Sequence, residues 1–170
     1  MVNNSSKKRI TSLRHNSNIW LRSILKDCFF DKVLNLGCGT DEDKEGSHYF
    51  KYFKHREIIF VDIKRTNITT LVANAEYLPF EDNTFDFTFV NWLLHLETVN
   101  LSCILNEIMR VTKSGGKAMI SYRHVCSGRF CAIYNVIATY MNIESQFTYA
   151  CTKENDLWRG KARLIYGTVL

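Results

Sequence analysis

The stretch VLNLGCGTD, residues Val33–Asp41, decides the fold. Its short apolar run leads directly into Gly37 and Gly39, a pattern typical of a buried parallel strand followed by a tight turn. Because glycine has no Cβ, such a turn can adopt positive φ and bring backbone close to a ligand. The Gly-x-Gly spacing alone is not specific, because the third glycine of the dinucleotide-binding fingerprint is missing.

A second apolar run, IIFVDI at Ile58–Ile63, ends with the carboxylate of Asp62. In nucleotide-binding sheets a carboxylate about 20 residues after the glycine turn binds the hydroxyls of a ribose. The two runs together therefore predict neighbouring strand ends that hold a nucleoside, with Asp62 as its ribose ligand.

The composition is that of an ordinary globular protein, with 170 residues of which 46% are hydrophobic and 23% are charged. This length is typical of one domain, so we expect residues 1–170 to form a single domain. The net charge of +5 comes from both ends of the chain rather than its middle. It permits an anionic partner without requiring one, and the favoured interpretation is solubility plus a loose N-terminus.

The cysteines and apolar runs exclude several classes of protein. Six cysteines show no CxxC pair and no zinc-type spacing, so no metal site is expected.

The first apolar stretch is interrupted by Arg22, which does not fit a secretory signal. The longest apolar run, Phe130–Met141, contains Asn135 and is shorter than the ~20 residues of a membrane span. We therefore expect no membrane span and a reducing, cytoplasmic compartment, while the oligomeric state stays open.

The alternation of strands and helices predicts an α/β protein with a parallel sheet and helices on both faces. The N-terminus is predicted as a flexible basic arm over residues 1–15 and a helix within 16–30. A loop and helix with a basic end are predicted over Asp41–Arg56, and a bare loop over Ile63–Thr69. Further helices are predicted over Leu101–Thr112 and Gly128–Ile143. The predicted strands are Val33–Leu36, Ile58–Asp62, Thr70–Ala73, Phe85–Val90, Lys117–Tyr122, Gln146–Thr152 and Ala162–Val169.

Four motifs in order carry a family resemblance: VLNLGCGTD, IIFVDI, ANAEYLPFEDNTFDFTFVNWLLHL and LNEIMRVTKSGGKAMIS. The succession, Val33–Ser121, resembles class I S-adenosylmethionine-dependent methyltransferases of the small-molecule type, with a methyltransferase domain of type 11. The resemblance implies a Rossmann-like seven-stranded, mostly parallel sheet of order 3-2-1-4-5-7-6 with the last strand antiparallel. It also implies S-adenosylmethionine as the cofactor and methyl transfer to an oxygen, nitrogen or carbon atom of a small-molecule substrate.

The same resemblance implies a role for individual residues. The glycine loop would lie under the methionine part of the cofactor, Asp62 would bind the ribose, and Ile63 would pack on the adenine. Asn74 and Ala75 fall where the family reads the adenine edge, and Asn91 would help to hold the methionine end. The loop residues concerned are Gly37, Cys38 and Gly39.

Two residues depart from the family pattern. Asn35 replaces an acid in strand one, and Asp41 replaces a glycine after GCGT. An amide cannot offer a full charge to the cofactor's ammonium group, and we expect the change to weaken binding by about 1–2 kcal/mol. We hypothesise that Asp41 replaces that charge from the other side of the loop.

A sulfonium methyl is already activated, so the protein mainly aligns the acceptor and excludes water. A base is needed only where the acceptor loses a proton, and His95 and His124 are the candidate catalytic residues because both follow predicted strands. The alternative is that each histidine only caps or packs. Trp92 and Tyr122 are candidates for the lining of the acceptor pocket, with a role in the core as the alternative.

Two other functions stay open. The altered glycine loop and the missing helix after strand two would also suit a non-catalytic, cofactor-binding scaffold or a subunit of a partner methyltransferase. Nucleic-acid binding through the basic arm, residues 1–15, is less favoured, and it would require an affinity that falls steeply with salt.

Overall fold

The structure is a computed structural model that describes residues 19–39, 49–91, 93–94, 98–124, 129–152 and 159–170. The predicted basic arm, Asp41, Trp92 and His95 lie outside these residues. The helices are α1 (residues 19–25), α2 (Leu101–Val111) and α3 (Arg129–Tyr140), with a short 3-10 helix at Tyr49–Tyr52. The strands are β1 (Phe29–Leu36), β2 (Lys54–Asp62), β3 (Leu71–Val72), β4 (Phe85–Asn91), β5 (Thr112–His124), β6 (Met141–Thr152) and β7 (Arg159–Val169).

The seven strands form one sheet of order β3-β2-β1-β4-β5-β7-β6, which confirms the predicted order. Neighbours from β3 to β5 are parallel, and β7 is antiparallel to both β5 and β6. The carboxyl ends of β1, β2 and β4 therefore lie along one edge of the sheet. Ligands of open α/β sheets bind at this edge.

Apolar side chains alternate between the two faces of the sheet. Leu34 and Leu36 of β1 face a core formed with α2 and α3, in which Ile104, Ile108 and Ile137 are fully buried. The spacing of the buried residues on α2 is that of an amphipathic helix, as predicted. Strands β1 and β4 are therefore packed against α2 and α3 through this core.

The opposite face carries a second core that is rich in aromatic side chains. Val33 of β1 and Phe87 of β4 pack there with Leu21 and Leu25 of α1. Phe30 stacks on Phe87 with ring centroids 4.6 Å apart. Helices thus cover both faces of the sheet, as predicted.

Several element boundaries differ from the sequence prediction. Two strands begin five residues earlier than predicted, β5 at Thr112 and β6 at Met141, because pairing with β4 and β7 extends to these residues. Lys54, His55 and Arg56 were expected to end a helix, but they begin β2 because Phe29 and Phe30 of β1 pair with the first two of them. Phe29 and Phe30 themselves belong to the predicted helical segment 16–30. Backbone pairing between two strands satisfies more hydrogen bonds than a frayed helix end does.

At the other end of the chain, α3 ends at Tyr140 rather than at Ile143. Met141 already pairs with Val169 of β7, so the ladder between β6 and β7 begins directly after the helix. The bare connection predicted between the second and third strands is confirmed, since residues 63–70 contain no helix. Within the described part of the chain, no helix is long and apolar enough to cross a membrane.

Candidate functional site

The loop after β1 has the conformation that its glycines permit. Gly37 and Gly39 adopt φ angles of 73° and 65°, in the left-handed region that costs other L-residues about 1–2 kcal/mol. The backbone N–H groups of Gly37 and Cys38 both donate to the carbonyl of Val61, at 2.8 and 3.2 Å. The loop is therefore held against the end of β2.

Asp62 joins this loop to the end of β2. Its Oδ2 accepts a hydrogen bond from the Gly39 N–H at 3.0 Å, and its Oδ1 accepts one from the Lys64 N–H at 3.0 Å. The side chain is half-buried, so it stays within reach of a ligand at the sheet edge. The structure thus brings the glycine loop and Asp62 together, as the sequence predicted.

Ile63 directly follows Asp62 and is 66% exposed, which is unusual for a large aliphatic side chain beside a sheet. Val72 of β3 pairs with Asp62 and is also exposed. An apolar surface therefore borders the carboxylate on the side away from the glycine loop.

Asn74 and Ala75 lie at the beginning of the connection that follows β3, and the Ala73 N–H donates to the Asp62 carbonyl at 3.0 Å. The Asn74 side chain is exposed, and its Oδ1 accepts the Glu76 N–H at 3.0 Å in an Asx turn. An amide oxygen has two lone pairs, so this turn leaves one acceptor position available to a ligand.

Asn35 is the most unusual residue of the site. Its side chain is completely buried, and among the residues that the structure describes neither its Nδ2 nor its Oδ1 has a hydrogen-bond partner. It lies two residues before Gly37, between Phe60 and Phe89 in the register of the neighbouring strands. An unsatisfied buried polar group costs about 1–3 kcal/mol, so such a group usually has a functional reason.

Cys38 lies inside the loop rather than on its surface. Its thiol is buried, with Sγ 3.7 Å from the Thr69 Oγ1. Burial raises the pKa of this thiol, and the hydrogen bond with Thr69 opposes that shift only in part. A buried thiol with a raised pKa is not an activated nucleophile, and the position of Cys38 under the methionine part of the cofactor stays a prediction.

The remaining predicted site residues are described only in part. Asn91 is the last residue of β4 and pairs with Ser121, and His124 is the last residue of β5 and pairs with Lys161. Their backbones reach the expected edge of the sheet, but their side chains lie outside the described part of the structure, as do Asp41 and His95. In the ranges that the structure describes, no cluster of three or more metal-ligating side chains occurs.

Comparison with known proteins identifies the family. The methyltransferase domain family matches residues 34–120, half of the chain. The chain belongs to this family. The match begins within β1 and ends in β5, so it contains the glycine loop, Asp62 and the Asn74–Ala75 pair.

Individual relatives of this methyltransferase domain match over a similar stretch. An uncharacterized protein of Methanocaldococcus jannaschii is 36% identical over 87 residues, which are 51% of this chain and 34% of that protein. The demethylmenaquinone methyltransferase of Shouchella clausii is 43% identical over 54 residues, 32% of this chain and 23% of that enzyme. The chain thus spans about a quarter to a third of the length of these two relatives.

Solved structures share the fold along nearly the whole chain. The geranyl diphosphate C-methyltransferase of Streptomyces coelicolor, in complex with Mg²⁺, geranyl diphosphate and S-adenosyl-L-homocysteine, superposes with a TM-score of 0.65 at 12% identity. That alignment covers 98% of this chain and 84% of the enzyme. At this identity the likeness establishes the fold.

The methyltransferase domain also contains a polar network that the sequence analysis missed. Arg110 Nε donates to Glu107 Oε1 at 2.7 Å, and Arg110 also donates to the carbonyls of Leu78 and Phe80. Glu107 Oε2 in turn accepts the Leu78 N–H. The network fixes the connection that begins with Asn74–Ala75 onto α2. The i, i+3 spacing of Glu107 and Arg110 was visible in the sequence, but their loop partners were not.

Proposed function

We propose that this protein is an S-adenosylmethionine-dependent methyltransferase that acts on an oxygen, nitrogen or carbon atom of a small molecule. The observation that carries the proposal is the hydrogen bond between the Gly39 N–H and Asp62, which unites the glycine loop and the carboxylate at one sheet edge. Family membership supports the same function, because the matched region contains both groups.

The residues present fit this cofactor in three respects. The positive φ angles of Gly37 and Gly39 leave backbone without Cβ atoms where the methionine part would lie. The exposed Ile63 offers an apolar surface to an adenine ring beside Asp62. The unpartnered amide of Asn35 lies just before the loop and can supply both a donor and an acceptor.

Each of these residues then has a defined task. Asp62 would accept hydrogen bonds from both ribose hydroxyls, while Asn74 Oδ1 and the Ala75 N–H would read the adenine edge. Asn35, Asn91 and Asp41 are the proposed partners of the methionine end. In this assignment the carboxylate of Asp41 compensates for the missing charge at Asn35.

When bound, S-adenosylmethionine supplies a methyl group already activated on a sulfonium. The chain's own contribution is to align the acceptor atom with the S–C bond and to exclude water from the edge of the sheet. Where the acceptor must lose a proton, as a hydroxyl does, His95 or His124 would accept it. An acceptor that is already nucleophilic would need neither histidine.

Small-molecule acceptors are supported by the named enzymes among the relatives and structural neighbours. The Shouchella clausii relative is named for demethylmenaquinone, and the Streptomyces coelicolor neighbour is bound to geranyl diphosphate. Both are small molecules rather than nucleic acids or proteins. For the present chain we propose a small molecule as the acceptor, without proposing either of these two substrates.

The test of the proposal separates an enzyme from a cofactor-binding scaffold. Calorimetry with S-adenosylmethionine and S-adenosylhomocysteine should detect binding of both, and Asp62→Ala should abolish it. Incubation with labelled S-adenosylmethionine and fractionated metabolite pools should then transfer label to a small molecule. Binding without transfer to any pool would favour the scaffold, and absence of binding would overturn the proposal.

A further inference from the structure

A second polar pair lies at the same edge of the sheet, beside the proposed cofactor site. Tyr122 of β5 and Arg163 of β7 are direct partners in the antiparallel ladder, so their side chains leave the same face. Tyr122 comes one residue after Ser121, which pairs with Asn91 at the end of β4. Since neighbouring strands are about 4.8 Å apart, Arg163 lies roughly 10 Å from the end of β4 along the sheet.

Both members of this pair have buried polar atoms without partners. The Tyr122 side chain is 0% exposed, and among the described residues neither its hydroxyl nor the buried Arg163 Nε makes a hydrogen bond of normal geometry, although Arg163 is close enough to lower the pKa of the phenol. Two unsatisfied groups side by side are rare, because each one has lost its hydrogen bonds to water without a full replacement. Packing alone does not explain why a tyrosine and an arginine rather than apolar residues lie there.

Among the described residues, Arg163 has no compensating anion. Within the described ranges no carboxylate lies within ion-pair distance of its guanidinium, which instead lies over the ring of Tyr134 on α3, 5.0 Å from the centroid. The cation thus lies over one aromatic ring, that of Tyr134, and beside its cross-strand partner Tyr122. Lys117, on the same strand pair, is by contrast neutralised by Glu144.

The protonation state of Tyr122 decides which kind of group could bind to the pair. Burial raises the pKa of its phenol, and the nearby charge of Arg163 only partly opposes this shift. At neutral pH the pair therefore consists of a neutral hydroxyl and a guanidinium, which can both donate. A phenol can donate or accept, whereas a guanidinium can only donate, so the group that could accept from both at once is absent from the pair. An oxyanion is the acceptor that a guanidinium binds most strongly.

We propose that Tyr122 and Arg163 bind an anionic oxygen group of the methyl acceptor, a carboxylate or a phosphate. This inference rests on the proposed function, because it makes the pair the recognition site for the acceptor. It names the substrate class more closely: an acceptor whose anionic group lies against the side chains of Tyr122 and Arg163 and whose nucleophilic atom points toward the end of β4.

The first test observes Arg163 directly in the protein saturated with S-adenosylhomocysteine. The ¹⁵N spectrum of arginine Nε–H groups is recorded while chloride is replaced by acetate or by inorganic phosphate at constant ionic strength. Arg163→Lys assigns the Arg163 signal by its disappearance. The exposed Arg56, which pairs with Asp31 on another part of the sheet, is the internal control.

We expect the Arg163 signal to shift saturably with acetate, phosphate or both, while the Arg56 signal stays in place. A response to only one of the two anions identifies the class of anionic group. Tyr122→Phe should weaken the response by roughly 2- to 10-fold, the usual effect of one neutral hydrogen bond. If neither anion shifts the Arg163 signal saturably, the proposed anion site does not exist.

The second test uses an acceptor once labelled methyl transfer has revealed one. Arg163→Gln should raise its KM by about 10- to 100-fold through loss of a charge-assisted bond, with little change in kcat or in S-adenosylhomocysteine affinity. Arg56→Gln should change none of the three. An acceptor without an anionic group, or an unchanged KM, would overturn the inference.

The two proposals fail in different ways. If S-adenosylhomocysteine does not bind, the methyltransferase proposal is wrong, and the anion titration is repeated on the free protein. If it binds but no anion affects Arg163, only the anion site is wrong. If Arg163→Lys does not fold, sequential resonance assignment of the unaltered protein identifies the Arg163 signal, so the titration still decides the question.

Discussion

Asp62 accepts the backbone N–H of Gly39 at 3.0 Å, so one carboxylate both shapes the loop after β1 and faces the edge where a ribose would lie. Its second oxygen accepts the Lys64 N–H, which orients the side chain. An amide here keeps one acceptor oxygen but turns an NH2 group toward one of these two backbone donors, so removal of the charge should weaken the hold on the loop as well as the bonds to a ligand.

We therefore predict that Asp62→Asn weakens S-adenosylhomocysteine binding by about 10- to 100-fold, the loss expected for a charge-assisted bond. Calorimetry measures the affinity, and circular dichroism checks that the fold is retained. Asp31→Asn removes a carboxylate that pairs with Arg56 elsewhere on the sheet and should leave the affinity unchanged. Equal effects of the two variants would contradict the assignment.

The glycine loop allows a matched comparison. Gly39 and Gly115 have φ angles of 65° and 77°, and a Cβ at Gly115 would meet nothing within 4 Å. Gly39→Ala and Gly115→Ala should each lower the free energy of unfolding by about 1–2 kcal/mol through backbone strain. Only Gly39→Ala should also weaken S-adenosylhomocysteine binding. A similar loss of affinity in Gly115→Ala would mean that strain acts through global stability.

A substitution of Asn35 should affect cofactor binding and the stability of the fold in different ways. Its amide makes no hydrogen bond in the buried site, so Asn35→Leu should leave the free energy of unfolding unchanged or raise it. The same variant should weaken S-adenosylmethionine binding by at least about 1 kcal/mol, because the amide can no longer meet the ligand. Urea denaturation and calorimetry measure the two quantities.

The control for Asn35 is a buried polar residue that does have a partner. Thr88 and Thr112 share a hydrogen bond of 2.6 Å between their hydroxyls. Thr88→Val should therefore lower the free energy of unfolding by about 1–3 kcal/mol, because it leaves Thr112 with one partner fewer. If Asn35→Leu destabilises the protein as much as Thr88→Val does, the Asn35 amide has a structural role instead.

Sequence patterns predicted the secondary structure correctly where apolar residues recur along a single strand or helix. The runs at Val33–Leu36 and Ile58–Asp62 predicted two strands and the meeting of Gly39 with Asp62, because both strand ends follow apolar stretches. The order of all seven strands came from the family resemblance and not from periodicity. Lys54–Arg56 was misread because exposed basic residues suit a helix end and an exposed strand start equally well.

Relationships across strands could not be predicted from the sequence. Tyr122 and Arg163 meet only because β7 runs antiparallel to β5 in one particular register. The lack of partners around Asn35 depends likewise on the packing of Phe60 and Phe89, which no local pattern records. Unsatisfied polar atoms are properties of the assembled core, so they appear only in three dimensions.

The last prediction concerns acid stability. The Arg110 guanidinium, and after it the Leu78 N–H, hold the pKa of Glu107 below its usual range. A carboxylate with a lowered folded pKa stabilises the protein above its unfolded pKa, and this stabilisation is lost as pH falls through the folded value. Glu107→Gln should thus lower the free energy of unfolding at pH 7 by about 1–3 kcal/mol. The difference from wild type should shrink below about pH 4.5, the ordinary value for this group.

Urea denaturation of both proteins across the acid range measures this convergence. The matched control is Glu57→Gln, which removes an exposed carboxylate 3.9 Å from Lys32 and should change the free energy of unfolding by less than about 1 kcal/mol at any pH. Because Glu107 and Arg110 fix the connection that starts at Asn74, Glu107→Gln should also weaken S-adenosylhomocysteine binding while Glu57→Gln should not. A constant gap between wild type and Glu107→Gln from neutral to acid pH would show that the charge of Glu107 is not what stabilises this connection.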